Sequence, residues 1–310
     1  MSTVIVAAVE VIALLLAAPL FEGLMRNLVR ARLHSRQGPP ILQPYYDLFK
    51  LLIKEDVQPA PGRSYFLPAV ACLATVLTAA LLIPITGDGV LSHHGDAILF
   101  IYLLTLSAVT MVLAGAMSAS PYSYLGLGRE VMMILSVEPV LILGFVTAAL
   151  KVGSFDLTQM MNWQIAHGPS VSMIIAAVAI FVSIQAQIGK LPFDVPEAEQ
   201  ELMGGPLTEL SGPKLALFEW ALWAKQLVLV AVLVQVFVPW PWLAVGAAGI
   251  GVAAWIIQAL IVAAKIMLVV ILVAVIDVVN PRLRIDQTIV YYLSIVFLAA
   301  VGVAFALIGA

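Results

Sequence analysis

The sequence predicts an all-α, polytopic membrane protein of about eight transmembrane helices with a cytoplasmic amphipathic surface helix. The first observation is composition: 63% of the 310 residues are hydrophobic and only 11% are charged, whereas a soluble domain carries about a quarter charged residues. The second is segment length, because eight apolar stretches approach the roughly 20 residues that cross the hydrocarbon core. No soluble domain interrupts these stretches, so we expect residues 1–310 to form a single membrane domain.

The predicted spans follow one another along the whole chain. The first covers an apolar N-terminus that lacks a basic leading segment and is interrupted by Glu10, so we expect a retained helix and not a signal peptide. The seventh is too long for a straight crossing at about 1.5 Å per residue, which predicts strong tilt or a bend. The spans are about 3–24, 66–86, 97–117, 131–150, 171–188, 215–238, 245–276 and 289–309.

Basic residues predict the orientation, because arginine and lysine concentrate on the cytoplasmic side of membrane proteins. The loops after odd-numbered spans hold nearly all of the loop residues of this kind, and the opposite side receives only Lys151. We therefore expect a multi-pass protein of the cell (inner) membrane with both termini on the outer face. The predicted cytoplasmic loops are 25–65, 118–130, 189–214 and 277–288.

One amphipathic helix is predicted inside the first cytoplasmic loop, in "QPYYDLFKLLIKEDV" (43–57). Pro44 suits a first helical turn. Asp47, Lys50 and Lys54 fall on one stripe at helical spacing, and leucines supply much of the other side. Such a helix lies along the membrane surface. Asp47 is therefore either part of a surface strut or a participant in chemistry.

Composition also excludes several classes of site. The net charge of −3 gives no reason to expect nucleic acid as a partner. The single cysteine, Cys72, excludes an internal disulfide and a cysteine-held zinc or iron–sulfur site. Of the four histidines only His93 and His94 are neighbours, and a pair without a third ligand does not predict a metal. We expect no cofactor in this chain.

Ionisable residues inside predicted spans are the strongest functional signal, because each costs at least about 2.5 kcal/mol at the bilayer centre. Glu138 precedes Pro139, which frees a backbone carbonyl and makes a kink where water can bind. Such a carboxylate can handle protons, although an ion pair between helices is the alternative, and Lys225 is the partner that we expect for it. The lysines Lys225 and Lys265 can also snorkel from helix ends. The residues inside spans are Glu10, Glu138, Glu219, Lys225 and Lys265.

An acidic cluster stands out in the third predicted cytoplasmic loop, "GKLPFDVPEAEQELMGGP" (189–206). Asp194 and Glu197 fit the start of a short helix, where acidic side chains interact favourably with the helix dipole. That does not account for Glu199, Glu201 and Glu209. Because the first two of these would lie on different faces of a helix, we expect one acidic face towards a partner and one towards the membrane.

Four segments in order resemble the complex I subunit 1 family, the membrane subunit beneath the quinone chamber. They are the acidic loop continued by "LTELSG" (207–212), "RARLHSRQGPPILQPYYDLFKLLIKED" (30–56), "LGLGREVMMILSVEP" (125–139) and "NPRLRIDQ" (280–287). The resemblance implies roles in ion translocation for Glu130, Glu138, Glu197, Glu199 and Glu201, to which we add the span residues Lys225 and Lys265. The expected partner-interface residues are Arg36, Asp47, Arg129, Asp194, Glu209, Arg282, Arg284 and Asp286.

Two departures favour one branch of that family. "GPPILQP" (38–44) lacks the insert that complex I carries after its Gly-Pro, and Lys225 stands near a position where complex I has a glutamate. Both features are similar to the membrane subunit of group 4 membrane-bound nickel–iron hydrogenases, of the energy-converting and formate-hydrogenlyase types. This resemblance implies a non-catalytic subunit of an oxidoreductase that couples ferredoxin or formate oxidation, with hydrogen evolution, to proton or sodium movement.

The same resemblance implies the partners. They are the hydrogenase large and small subunits, the iron–sulfur subunits of a peripheral arm and an antiporter-like membrane subunit, with the nickel–iron centre and iron–sulfur clusters held by those partners. The alternative is the quinone-site membrane subunit of a complex I-like dehydrogenase. A stand-alone transporter is disfavoured by the absence of a clear internal repeat, and an inert anchor by the cost of five ionisable residues in spans.

Overall fold

The computed structural model describes residues 3–57, 66–85, 91, 96–118, 120–242 and 251–309. Within these ranges the chain is helical and contains no strand, which confirms the predicted fold class. Two short π-helical segments, Met25–Arg30 and Leu233–Phe237, extend the first and tenth helices. The α-helices are α1 Thr3–Leu24, α2 Ala31–Leu33, α3 Gln43–Ile53, α4 Phe66–Ala80, α5 Ala97–Met117, α6 Pro121–Val152, α7 Leu157–His167, α8 Val171–Gln187, α9 Glu199–Leu202, α10 Gly212–Val232, α11 Gly251–Val279 and α12 Ile285–Ile308.

Eight of the described helices or helix runs are strongly apolar. Six are long and apolar enough to cross a membrane, and α4 and α8 are shorter apolar helices. The protein is therefore a multi-pass membrane protein. The α6 helix begins at Pro121, well before the predicted start of the fourth span at 131, and α7 lies in the connection between the fourth and fifth predicted spans.

The α10 helix forms the centre of the bundle. In the run Gly212–Phe237, 89% of the apolar window is buried. Most α10 side chains are apolar, which suits a position enclosed by neighbouring helices, and α10 packs against α1, α3 and α4. Phe145 of α6 joins this core near its far end, with its ring 5.9 Å from the rings of Phe100 and Phe237.

A proline within α1 explains how that helix is attached to the bundle. Pro19 has no N–H, so the carbonyl of Leu15, four residues earlier, loses its helical donor. The indole Nε1–H of Trp220 donates to this carbonyl at 2.9 Å. The hydroxyl of Tyr45 donates to the next carbonyl, that of Leu16. The proline thus frees one acceptor, the Leu15 carbonyl, that a side chain of α10 satisfies, and a side chain of α3 binds the neighbouring carbonyl.

The predicted amphipathic helix is α3, and its two sides differ as expected. Leu48 is buried at 3% exposure, whereas Tyr46, Phe49 and Ile53 are exposed. Asp47 lies 3.9 Å from Lys50 and 3.7 Å from Arg26 of the segment that follows α1. The charged stripe therefore connects α3 to the segment that follows α1.

Tight backbone packing seats the acidic loop on α6. Gly205 has a φ of +56°, and an added Cβ would lie 2.1 Å from the carbonyl oxygen of Pro196. Gly126 of α6 also contacts this loop closely, since an added Cβ at Gly126 would lie 2.7 Å from the Cα of Gly205. Glycines at both positions allow the loop to fold back on itself and onto α6.

Candidate functional site

The acidic loop is fastened to the protein at several points along residues 190–201. On one side, the Arg129 guanidinium of α6 donates to the Glu201 carboxylate at 2.5 Å and to the Val195 carbonyl at 3.3 Å. On the other, Arg282 binds Asp194 at 2.5 Å. The next backbone N–H, that of Leu283, donates to a loop carbonyl at 3.0 Å. Arginines from α6 and from the segment between α11 and α12 thus hold the loop.

Glu22 is a second attachment point, and its buried carboxylate contacts three basic side chains. Its side chain, near the C-terminal end of α1, is 2% exposed. Its Oε1 accepts a hydrogen bond from Arg26 Nε at 3.0 Å and lies 3.6 Å from both Arg30 and Lys190. One carboxylate therefore joins two arginines of the α1 extension to the first cation of the acidic loop.

Asp277, near the end of α11, completes this arrangement. It lies 2.7 Å from Arg30 and accepts a hydrogen bond from the Leu191 backbone N–H at 3.0 Å. Lys190 and Leu191, which are consecutive in the loop, are thus held by two different transmembrane helices. A buried carboxylate needs such partners, because an uncompensated charge is costly in low dielectric.

These groups line a cavity of about 470 Å³ beneath the acidic loop. Its walls combine charges of both signs with the ring of Trp223, over which the Arg26 guanidinium lies at 5.6 Å from the centroid. Charged residues dominate the lining. They are Glu22, Arg26, Arg30, Lys190, Asp194, Glu197, Glu219, Asp277 and Arg282.

A smaller cavity of about 20 Å³ continues from Glu197 into the bundle. That volume suffices for one water molecule. Glu130 of α6 and Lys225 of α10 line it together with Glu197 and Cys72, and Lys225 is only 5% exposed. Glu197, which lines both cavities, therefore stands between the large charged cavity and the side chains of Glu130 and Lys225.

Electrostatics sets the protonation of the loop carboxyls. Burial raises the pKa of Glu197 to about 8, and repulsion from Glu130, Glu219 and Asp194 contributes to this rise against an opposing effect of Lys190. Glu201 is exposed, and the hydrogen bond from Arg129 holds its pKa below the ordinary value. The loop thus carries one carboxyl that is protonated at neutral pH and one that is ionised.

Glu138 lies apart from Glu197, Glu130 and Lys225, and it lines neither of their two cavities. It is half-buried, accepts a hydrogen bond from the Thr105 hydroxyl of α5, and lines a mostly apolar cavity of about 260 Å³ with Phe145 and Phe155. We expected a pairing of Glu138 with Lys225, but among the described ion pairs these two are not within 4.0 Å of each other. Glu130 lines the same cavity as Lys225, whereas Glu138 lines a different one.

Lys265 is also remote from the acidic loop. Its ammonium donates to the carbonyls of Val238, at 3.5 Å, and Pro239, which follow the π-helical end of the α10 run. A cation at the end of a helix interacts favourably with the carbonyls there. This contact gives Lys265 a local partner in the membrane part of the protein.

The remaining predicted site residues whose side chains are described lie outside both cavities. Arg284 and Asp286 are exposed and 3.4 Å apart, Arg36 is exposed, and Glu209 is half-buried. The side chain of Glu199 lies outside the part of the chain that the structure describes. The short helix of this loop begins at that residue, later than the start near Asp194 that we expected, because two turn residues at Pro196 and Glu197 separate it from the preceding segment.

Sequence reasoning missed Glu22 and Asp277 as members of the site. A signal for Glu22 was present: together with Arg26 and Arg30 it follows four-residue spacing, which places three charges on one helical stripe. Asp277 lies one residue past the predicted end of the seventh span. Its contact with Leu191 joins positions 86 residues apart, which no local pattern predicts.

Comparisons with known proteins match nearly the whole chain. Formate hydrogenlyase subunit 4 of Escherichia coli (strain K12) is 35% identical over 286 residues, which are 90% of this chain and 91% of the relative. Hydrogenase-4 component C of the same strain is 37% identical over 243 residues, 76% of each chain. A chain in the structure of the membrane-bound sulfane sulfur reductase, an archaeal respiratory membrane complex, has a TM-score of 0.87 at 25% identity and covers 99% of this chain and 100% of its own.

The profile of the NADH dehydrogenase family matches residues 4–308. This match includes the four segments on which the predicted resemblance rests, and it confirms that resemblance. It also includes every charged residue of the two cavities that Glu197 lines. The protein therefore belongs to the NADH dehydrogenase family, of the complex I subunit 1 type.

Proposed function

We propose that this chain is the membrane anchor and ion-coupling subunit of a multisubunit energy-converting nickel–iron hydrogenase. The observation that carries the proposal is the continuous set of ionisable groups from the fastened acidic loop, through Glu197, to Glu130 and Lys225 between α6 and α10. Such groups are costly inside a membrane protein and are typical of ion pathways. The chain itself performs no redox step in this proposal.

Coupling follows from the position of Glu197 between the two cavities. A change of charge in a redox partner above the loop alters the proton affinity of this carboxyl by electrostatics. Because Glu130 and Lys225 share a cavity with it, a proton gained or lost at Glu197 changes the balance within that pair. The acidic loop thus transmits a redox event into the membrane as a proton shift.

The partners in this proposal are the hydrogenase large and small subunits, the iron–sulfur subunits of the peripheral arm and an antiporter-like membrane subunit. These would hold the nickel–iron centre and the iron–sulfur clusters. Support comes from the relatives whose names are those of hydrogenase components, while the sulfane sulfur reductase indicates that one membrane fold serves different redox arms.

The family profile keeps the quinone-site subunit as the alternative. The large cavity counts against it, because most of its lining side chains are charged or polar, whereas sites for small organic ligands are mostly apolar. The test is to purify the complex from its native membrane and identify its subunits, its nickel content and its electron acceptor. We expect a nickel-containing partner and hydrogen evolution that is indifferent to added quinone. Quinone-dependent turnover without nickel would establish the alternative.

The proposed orientation places the acidic loop and the Arg282 segment in the cytoplasm and both termini outside. In a Cys72→Ser background, cysteines at the exposed positions Ala166 and Arg284 should react with an impermeant maleimide from opposite sides of the membrane. Reaction of the Ala166→Cys variant from the cytoplasmic side would overturn this orientation.

A further inference from the structure

Lys190 lies between two groups of carboxylates. Its ammonium is 3.6 Å from Glu22 Oε1, on the α1 side of the large cavity. Glu197 and Glu219 line the same cavity, and neither lies within 4.0 Å of the Lys190 ammonium among the described ion pairs. One lysine is thus held by α1 while it faces the acidic groups of its own loop and of α10.

The Glu22 carboxylate is built to hold a cation in place. Arg26 and Arg30, from the same helical run, bind it, and the ion pair of Arg30 with Asp277 ties that arrangement to α11. Its second oxygen, Oε2, is buried and has no hydrogen-bond partner among the described residues. This oxygen leaves accepting capacity for an ammonium that approaches more closely.

We propose that Glu22 is a positioning residue for Glu197: it holds the Lys190 ammonium at the α1 wall of the cavity, where it neutralises the Glu197 carboxylate only weakly. The inference rests on the proposed function, in which Glu197 receives the redox signal. Movement of one ammonium from Glu22 towards Glu197 then converts a protonated carboxyl into an ion pair and releases its proton.

The other charged groups around Glu197 favour this role for Lys190. Three carboxyls, on its own loop, on α6 and on α10, repel a negative charge at Glu197, and Lys190 acts against them. An opposite charge within about 4–6 Å lowers a carboxyl pKa by about 1–3 units, so a small movement of Lys190 has a large effect. The titratable and charged groups that face Glu197 or share its two cavities are Asp194, Lys190, Glu130, Glu219, Lys225, Cys72, Glu22, Arg26, Arg30, His34, Asp277 and Arg282.

The test is an infrared pH titration of the assembled complex, in which loss of a carboxyl band in the Glu197→Gln variant identifies the Glu197 signal. The Glu22→Gln variant keeps the shape and an acceptor for Arg26 but releases Lys190. We expect its Glu197 midpoint to fall by about one pH unit or more. Lys190→Met should raise the Glu197 midpoint instead. In the Lys190→Met background, Glu22→Gln should shift the midpoint by less than half of the shift that it causes in the wild type.

Asp277→Asn is the matched control, because it removes one carboxylate charge from the same cavity but not from Lys190. Its shift should be the same with and without Lys190. A Glu22→Gln shift that persists in full without Lys190 would overturn the proposal. So would an unchanged midpoint in Lys190→Met, a result that stands even if Glu22→Gln fails to assemble. The titration reads Glu197 whether or not ions are pumped, so failure of the proposed function is detected separately by ion transport.

Discussion

Arg129 and Glu201 are 72 positions apart in the sequence, and the guanidinium of one donates to the carboxylate of the other at 2.5 Å. The same guanidinium also binds the Val195 carbonyl. The two contacts contribute different free energies of stabilisation. The Glu201 side chain is 52% exposed, and exposed ion pairs contribute only about 0–1 kcal/mol. The bond to the buried residue Val195 is therefore the stronger attachment of the loop to α6.

Replacing Arg129 should loosen the acidic loop more than replacing Glu201 does. Arg129→Gln removes both contacts and leaves the Val195 carbonyl without this donor, whereas Glu201→Gln weakens only the exposed pair. We expect amide hydrogen exchange of residues 193–203 in the complex to accelerate at least about ten-fold in Arg129→Gln. Glu201→Gln should change it less than about three-fold, and equal effects of the two variants would contradict this division.

The contact between Trp220 and Leu15 gives a prediction on stability. Trp220→Phe removes the donor to a carbonyl that Pro19 leaves without a helical partner, and an unsatisfied buried acceptor costs about 1–3 kcal/mol. We expect a lower unfolding temperature of the complex in detergent. Pro19→Ala should recover part of the loss in the Trp220→Phe background, because alanine restores the N–H. No recovery would mean that the indole acts only by packing.

The raised pKa of Glu197, about 8, predicts a dependence on pH with a defined sign. Between the ordinary carboxyl pKa and about 8, the folded chain binds a proton that the unfolded chain has released, so the stability contributed at low pH is lost as pH rises through that window. We expect thermal stability to decline between about pH 5 and 8. In Glu197→Gln this part of the decline should disappear, whereas an unchanged slope would place the titration elsewhere.

Glu138 is predicted to act in ion transfer although it lies apart from Glu197, Glu130 and Lys225. Glu138→Gln preserves the size of the side chain and an acceptor for Thr105 but removes the proton. We expect the complex to assemble and its hydrogenase centre to turn over with artificial donors, while ion pumping in sealed vesicles collapses. Thr105→Val is the control, since it removes the donor and keeps the carboxyl. Normal pumping in Glu138→Gln would make the residue structural.

Much of the fold can be predicted from composition and from the spacing of apolar residues. The length of the apolar segments predicts the membrane spans, and the spacing of charged and apolar residues predicts α3. The site follows less completely. Glu197, Glu130 and Lys225 are conspicuous as charges in or beside apolar segments, and the structure places them around one cavity. The partner of Lys225 was predicted wrongly as Glu138, because sequence alone does not tell which carboxyl of α6 faces α10. Glu22 was missed because a charge at a span end is ordinary until its burial is known.

The most direct test of the account is the ion-to-electron ratio of a Glu130→Gln variant in sealed vesicles. This change neutralises the carboxyl that shares a cavity with Lys225 and Glu197, and it leaves the fastened loop and its arginine contacts in place. Glu55→Gln, an exposed carboxyl outside both cavities, is the control. The account predicts that Glu130→Gln retains hydrogen evolution with an artificial donor but loses most ion movement per electron, whereas the control keeps the wild-type ratio. A wild-type ratio in Glu130→Gln would contradict a coupling path through Glu197, Glu130 and Lys225.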